Sequence, residues 1–237
     1  MLSAIFYIIL LVVIGILMPF LGVTNGNKVK DILDRSPQLK VSIYRQTIVT
    51  LWVITVLVLV MMYFNNQPLS HIGAEFILDH MLMTKLLIVC IGYLGLVNLV
   101  NLSASSADRL KQLFHRVLYI IPVSKKEYRW SILLSFTAGF CEEIIFRGFL
   151  YEQANMYMPE FMGLIVVNII FALCHWGTGY KNALWSFALG VIWSVIYLKT
   201  GSLWIPVLMH ILIDITSMTF GRKLLMQQKV QSTAKSR

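Results

Sequence analysis

Three stretches of this chain carry side chains able to do hydrolytic chemistry, and all three lie in apolar surroundings. The first reads Cys141-Glu142-Glu143-Ile144-Ile145-Phe146-Arg147, the second Phe171-Ala172-Leu173-Cys174-His175, and the third Met209-His210-Ile211-Leu212-Ile213-Asp214. Glutamate and histidine together can act in two ways. They can hold a divalent metal such as zinc that activates water, with Glu142, His175 and His210 as ligands, or they can bind and deprotonate water directly as general bases. The residue types leave both routes open.

A carboxylate or guanidinium at mid-membrane costs about 2.5–3.5 kcal/mol, so the three groups of Glu142, Glu143 and Arg147 unpaired would cost on the order of 8–10 kcal/mol. The cost implies pairing, a wet cavity, or both. Glu143 and Arg147, four residues apart, share a helical face, and the guanidinium can reach back to the carboxylate. Glu142 projects about 100° away from Glu143 around the axis, so one arginine does not neutralise both and Glu142 is left for chemistry. His210 and Asp214 also share a face at i, i+4, so the carboxylate can set the tautomer of the imidazole or both can face a common site.

Other routes to peptide cleavage lack their signatures, with no H-E-x-x-H helix, no G-x-S-x-G elbow and no Gly-Asp pair. Cys141 and Cys174 adjoin Glu142 and His175, but apolar surroundings disfavour the thiolate that a cysteine nucleophile needs. The three cysteines fall in apolar segments and imply no disulfide framework.

The elements that must position these residues are membrane helices. The chain has 237 residues, of which 58% are hydrophobic and 13% charged, with a mean hydropathy of +0.74. A soluble fold of that composition could not cover its surface. Crossing a hydrocarbon core of about 30 Å takes roughly 20 apolar residues. The sequence predicts spans near 4–23, 47–64, 83–103, 130–151, 159–175, 182–199 and 202–220, with an eighth as the alternative count. The first lacks the basic start of a signal peptide and is expected to remain as a helix bent at Pro19.

The expected fold is therefore all-α, a polytopic bundle of about seven spans with the site inside it. A single domain would cover 1–221, with the motif-bearing core at about 130–220, followed by a basic polar tail over 222–237.

A net charge of +9 raises the question of nucleic acid, and the location of the charge answers against it. Of the 20 Lys and Arg, only Lys85, Arg147 and Lys199 fall outside alternate loops or the C-terminal stretch. Retention of basic loops on the cytoplasmic side predicts an outside N-terminus and a cytoplasmic C-terminus. Residues 110–119 alternate apolar and basic positions at helical spacing, as an interfacial amphipathic helix or a docked loop would. Trp176-Gly177-Thr178-Gly179-Tyr180 offers irregular backbone just after His175, tolerable at depth if it lines a cavity, which is expected to open toward the cytoplasm.

The three motifs in this order, Glu-Glu-x-x-x-Arg, Phe-x-x-x-His and His-x-x-x-Asn/Asp, resemble those of the CAAX protease and bacteriocin-processing (CPBP, or Abi) family of intramembrane metalloproteases, which includes the Rce-type CAAX endopeptidases. They are carried here by Glu142, Glu143, Phe146 and Arg147, by Phe171 and His175, and by His210 and Asp214. The resemblance implies that Glu142 and His175 activate the attacking water. His210 and Asp214 would help bind it or stabilise the tetrahedral oxyanion, and Glu143 and Arg147 would support the site.

The family's prenyl-protein proteases carry asparagine where Asp214 stands. Ionised aspartate cannot donate to an oxyanion as asparagine can. Asp214 is therefore expected to orient His210, the alternatives being a protonated donor or a metal ligand.

The expected function is endoproteolysis of a membrane-associated, hydrophobic or lipidated peptide or protein in a bacterial plasma membrane, with membrane lipid as the other partner. Two readings from other classes stand beside it: a non-proteolytic peptide-binding or immunity protein, and a small proton-coupled transporter, since intramembrane Glu, Arg and His also mark ion pathways.

Overall fold

The computed structural model describes residues 2–75, 80–102 and 117–235. Its regular structure there is entirely helical. Helix α1 (Leu2–Val12) passes through a π-helical turn, Val13–Leu17, into α2 (Met18–Arg35). The wide turn sits just before Pro19, which has no N–H to donate and whose ring crowds the preceding carbonyls. Widening lets Met18 N–H reach Val13 O instead. The helix continues well past residue 23, so the loop expected there begins only after Arg35.

Helix α3 (Lys40–Phe64) and α4 (His80–Leu102) follow. The expected interfacial helix over 110–119 falls mainly on residues outside those described, and Leu118–Ile120 form a 3-10 turn. Helix α5 (Lys125–Glu143) starts at Ser124, whose hydroxyl accepts from Glu127 N–H at 3.1 Å while Glu127 Oε2 accepts from Val123 N–H at 2.8 Å. It runs without a break into a seven-residue π segment, Ile144–Leu150, and then α6 (Tyr151–Asn155). Helices α7 (Glu160–Cys174), α8 (Tyr180–Thr200) and α9 (Trp204–Lys235) complete the bundle. The stretch after residue 221 continues α9 as helix as far as Lys235.

Among the described residues, four stretches are long and apolar enough to cross a membrane: Ile5–Gly26, Pro37–Phe64, Tyr180–Thr200 and Trp204–Gln227. The expected span 83–103 coincides with α4 (His80–Leu102), and the expected span 159–175 with the shorter apolar helix Glu160–Cys174. The expected span 130–151 is continuously helical, but Glu142, Glu143 and Arg147 lower its hydropathy and keep it out of that group.

Helix α5 lies at the centre, packed most extensively on α9 and α3, while α7 pairs with α8 and α2. The core follows the same helices, with Val58 and Met62, Ile145, Phe146 and Phe149, Val167 and Phe171, Trp193, and Leu203 all nearly inaccessible.

Contacts between loops sort the two ends of the bundle. At one end Lys40 Nζ donates to Ile121 O at 2.7 Å, Tyr128 and Thr219 hydroxyls meet at 3.0 Å, and the Arg222 guanidinium lies 4.9 Å from the Tyr128 ring centroid. At the other end His71 faces Glu152 at 3.5 Å and Leu203 N–H donates to Gly73 O at 2.9 Å. The basic segments around residues 28–45, 117–129 and 219–223 thus gather at one end, opposite the loop at 65–75.

Candidate active site

The site is built from the last turn of α5 and its π extension, the C-terminal half of α7, the middle of α8 and the first three turns of α9. Its inner layer is an ion network with no access to solvent. Arg147 Nη1 donates to Glu143 Oε1 at 3.1 Å, and Glu143 and Arg147 are 0% and 1% exposed. Arg147 Nη2 is spent on two further acceptors, Asn168 Oδ1 at 3.1 Å and Gly190 O at 3.0 Å. Asn168 in turn donates to Leu164 O and Ser194 Oγ, both at 2.9 Å. One guanidinium therefore ties α5, α7 and α8 together.

This approach requires glycine at 190, because a Cβ there would stand 2.3 Å from Asn168 Oδ1 and 2.9 Å from Arg147 Nη2. Phe171 covers the other side of the guanidinium, its ring centroid 4.7 Å from the Arg147 carbon and 5.1 Å from Phe146.

His210 joins this network from α9. Its Nδ1 lies 2.8 Å from Glu143 Oε1, and since a carboxylate buried against Arg147 accepts, Nδ1 carries the proton. Nε2 then points outward, 3.8 Å from Glu142 Oε2 and 3.8 Å from Asp214 Oδ2. Both separations exceed a hydrogen bond. Glu143 thus holds His210 through a hydrogen bond, whereas Asp214, expected to orient it, stands at ion-pair distance from the other ring nitrogen.

Asp214 instead occupies the more open side of the site, with a third of its side chain exposed. Glu142 is between the two extremes: its Oε2 is buried and has no hydrogen-bond partner, while 14% of the side chain remains accessible.

His175 caps α7. Its Nδ1 lies 2.9 Å from Phe171 O, a carbonyl that can only accept, so Nδ1 bears the proton and Nε2 presents a lone pair. Its ring contacts Phe171 at 4.7 Å between centroids, and Phe171 meets His210 in a T-shaped contact at 6.3 Å, so both histidines pack against one aromatic ring. Asp214 is in electrostatic range of Glu142, Glu143, His175 and His210 together.

Gly26 of α2 lies against Gly177, so the turn after His175 packs roughly 13 Å short of the C-terminal end of that helix.

Glu142, Glu143, Arg147, His210 and Asp214 thus form one contacting group, with Phe146 and Phe171 as its apolar wall. His175 stands beside it against Phe171. Among the described residues no group of three or more His, Cys, Asp or Glu is arranged to hold a metal ion, and Glu142, His175 and His210 are thus not gathered as the ligand set the sequence suggests.

Sequence reading missed Asn168, Ser194 and Trp193. Asn168 was visible as the single amide in the run Leu164-Ile165-Val166-Val167-Asn168-Ile169-Ile170, but its partners were not.

An open apolar groove of about 470 Å³ lies between α3, α4, α5 and α9 and is lined by Trp52, Phe136, Phe140, Trp204 and Ile211 among others. Glu142, His175, His210 and Asp214 are not among its lining residues.

Residues 125–216, which contain all three motifs, match the family described as type II CAAX prenyl endopeptidase Rce1-like. The Putative membrane peptidase YdiL of Bacillus subtilis (strain 168) is 33% identical over 87 residues, covering 35% of this chain and 33% of that relative. The chain thus spans about a third of the length of the curated relative it matches. No solved structure matches it.

Proposed function

We propose, for a chain that belongs through residues 125–216 to the Rce1-like type II CAAX prenyl endopeptidase family, an endopeptidase that hydrolyses a membrane-associated or hydrophobic peptide inside its helical bundle. The reading rests above all on one observation. Glu142 Oε2 is buried, has no partner, and shares a gap with His210 Nε2 and Asp214 Oδ2, each 3.8 Å from that nitrogen. A buried carboxylate oxygen left unsatisfied costs about 1–3 kcal/mol, and a small polar molecule in the gap would recover it.

Water held by Glu142 and by the lone pair of His175 Nε2 attacks the scissile carbonyl while Glu142 takes its proton. The C–O bond forms and the carbonyl oxygen becomes an oxyanion. His210, as an imidazolium with a proton on each nitrogen, gives its Nδ1–H to Glu143 and donates from Nε2–H to that oxyanion. The intermediate collapses with cleavage of the C–N bond, and Glu142 returns the proton to the leaving amine. Glu143 and Arg147 hold the geometry, and Asp214 adds negative charge beside His210. No step is routed through a metal.

Seven crossings, with the N-terminus outside and the C-terminus cytoplasmic, accompany this reading. The clustering of basic segments at one end supports it. The apolar groove beside Phe140 and Ile211 suits a hydrophobic substrate that enters from the lipid.

The test pairs Glu142→Gln and His175→Ala with wild type in an unbiased comparison of membrane and secreted peptides, with folding checked in each. Loss of the same cleavage products in both variants is expected. Identical peptide profiles in all three strains would sink the reading.

A further inference from the structure

We infer that Trp193, on α8, is the positioning residue that fixes the ring plane of His210. A single hydrogen bond from Nδ1 to Glu143 anchors one atom of the imidazole but leaves the ring free to turn about that bond. Trp193 removes this freedom. Its ring lies 4.3 Å from the His210 ring, centroid to centroid, at an interplanar angle of 23°, an offset stack. Trp193 is itself 2% exposed, so the indole has nowhere to swing.

The edge of Phe171 meets His210 at 90°, closing the other direction. The orientation so enforced holds Nε2 equidistant from Glu142 and Asp214, at 3.8 Å from each.

The same indole also faces Arg147, whose guanidinium carbon is 5.6 Å from its centroid. Trp193 is thus a wall shared by both groups that donate to Glu143 Oε1. It lies three residues after Gly190, whose carbonyl takes Arg147, so one face of α8 supplies both the acceptor and the wall. Trp193 touches no reacting atom and acts through His210. The catalytic consequence rests on the peptidase reading, whereas the positioning itself does not.

The full-length protein in detergent micelles, labelled with carbon-13 at histidine, gives a test independent of catalysis. The indole ring current moves the His210 ring resonance upfield, with His210→Ala providing its assignment. Trp193→Leu abolishes that shift and broadens or splits the resonance, whereas Trp193→Phe keeps it single and displaced. If the leucine variant does not fold, Trp193→Met takes its place, judged against the wild-type thermal midpoint.

In a peptidase assay Trp193→Leu lowers kcat by roughly 10²-fold with KM little changed. Trp193→Phe recovers most of kcat, and Trp193→Leu adds no further loss to His210→Ala. A His210 resonance that is unshifted in the wild type, or one that stays sharp and shifted in Trp193→Leu, overturns the inference, as does an unchanged kcat in that variant. A wild type without any peptidase activity defeats the peptidase reading instead, and the resonances alone then decide the role of Trp193.

Discussion

Glu143 Oε1 accepts from His210 Nδ1 at 2.8 Å while the same oxygen accepts from Arg147, so the carboxylate that neutralises the buried guanidinium is also the one that orients the histidine. The two adjacent glutamates therefore separate under mutation. Glu143→Gln leaves Arg147 as a buried charge without its counter-ion and should cost about 3–5 kcal/mol of stability. Glu142→Gln leaves the network intact and should change stability by less than about 1 kcal/mol while removing the base. Thermal unfolding in detergent alongside product formation measures both; equal destabilisation by the two changes would refute the division of roles.

Gly190→Ala tests the network from the helix opposite. The new Cβ would meet Asn168 Oδ1 at 2.3 Å and Arg147 Nη2 at 2.9 Å, so both must withdraw. The expected loss is about 1–3 kcal/mol for crowding a filled site, with activity falling in step as Arg147 releases Glu143. Asn168→Ala relieves the clash but leaves Arg147 and Ser194 short of a partner, so the double variant should lose less than the two single losses added together. Melting temperatures of the four proteins decide the point.

Much of this arrangement could be read along the chain because ionisable residues are conspicuous in apolar runs. Glu142, Glu143, Arg147, His175, His210 and Asp214 all declare themselves that way, and the i, i+4 spacing of Glu143 and Arg147 announces their pairing. Partnerships between helices leave no such mark. Nothing local tells His210 to choose Glu143 over Asp214, one turn away on its own helix, because that choice depends on how closely α5 approaches α9. The π segment Ile144–Leu150 is equally silent, since its residues also suit an α-helix and the wider turn emerges from packing such as that of Ile72 against Gly148. The limits of the spans were read too narrowly at Arg35 and beyond residue 221, where polar residues continue a helix into the interface.

The donor geometry bears on metal dependence. Among the described residues Glu142, His175 and His210 are not gathered as a metal-binding group, so the proposed mechanism uses them as a base and as hydrogen-bonding groups. Purified protein treated with a strong chelator and then stripped of it should retain its cleavage rate, and metal analysis should give well under one ion per chain. Activity that vanishes with the chelator and returns with zinc alone would reverse this assignment.

At the basic end, before the start of the apolar span, Glu127 provides a pH-dependent term in stability. Burial opposes its ionisation, but the Val123 amide, Lys40 and Ser124 outweigh it and hold the carboxyl below its ordinary value. A depressed folded value means that the stabilisation is fully present above the unfolded value of about 4.3 and is lost as pH falls through the folded one. Thermal midpoints followed from about pH 6 to pH 3 should therefore decline less steeply in Glu127→Gln than in wild type, the difference closing at the acid end. Because Lys40 and Glu127 are 3.6 Å apart and partly screened, the effect should stay near 1 kcal/mol. Parallel curves for the two proteins would show that the carboxylate contributes nothing in its ionised form.

Helix α2 braces the turn that follows His175. Gly26 and Gly177 meet backbone to backbone: a Cβ on Gly26 would lie 1.9 Å from Gly177 Cα and 2.2 Å from its carbonyl oxygen. Neither side has a flexible end to move, so Gly26→Ala must lift the Trp176–Thr178 turn away from α2 and carry His175 with it. Displacement of a catalytic base by about 1 Å can cost on the order of 10²-fold in rate. Gly15, in the π turn of the same long helix, has nothing within 4 Å of its own Cβ position, so Gly15→Ala should leave both rate and stability close to wild type. Gly26→Ala is therefore expected to lower kcat sharply while Gly15→Ala does not. A Gly26→Ala protein with wild-type kcat would mean that the contact between α2 and the turn does not govern the placement of His175.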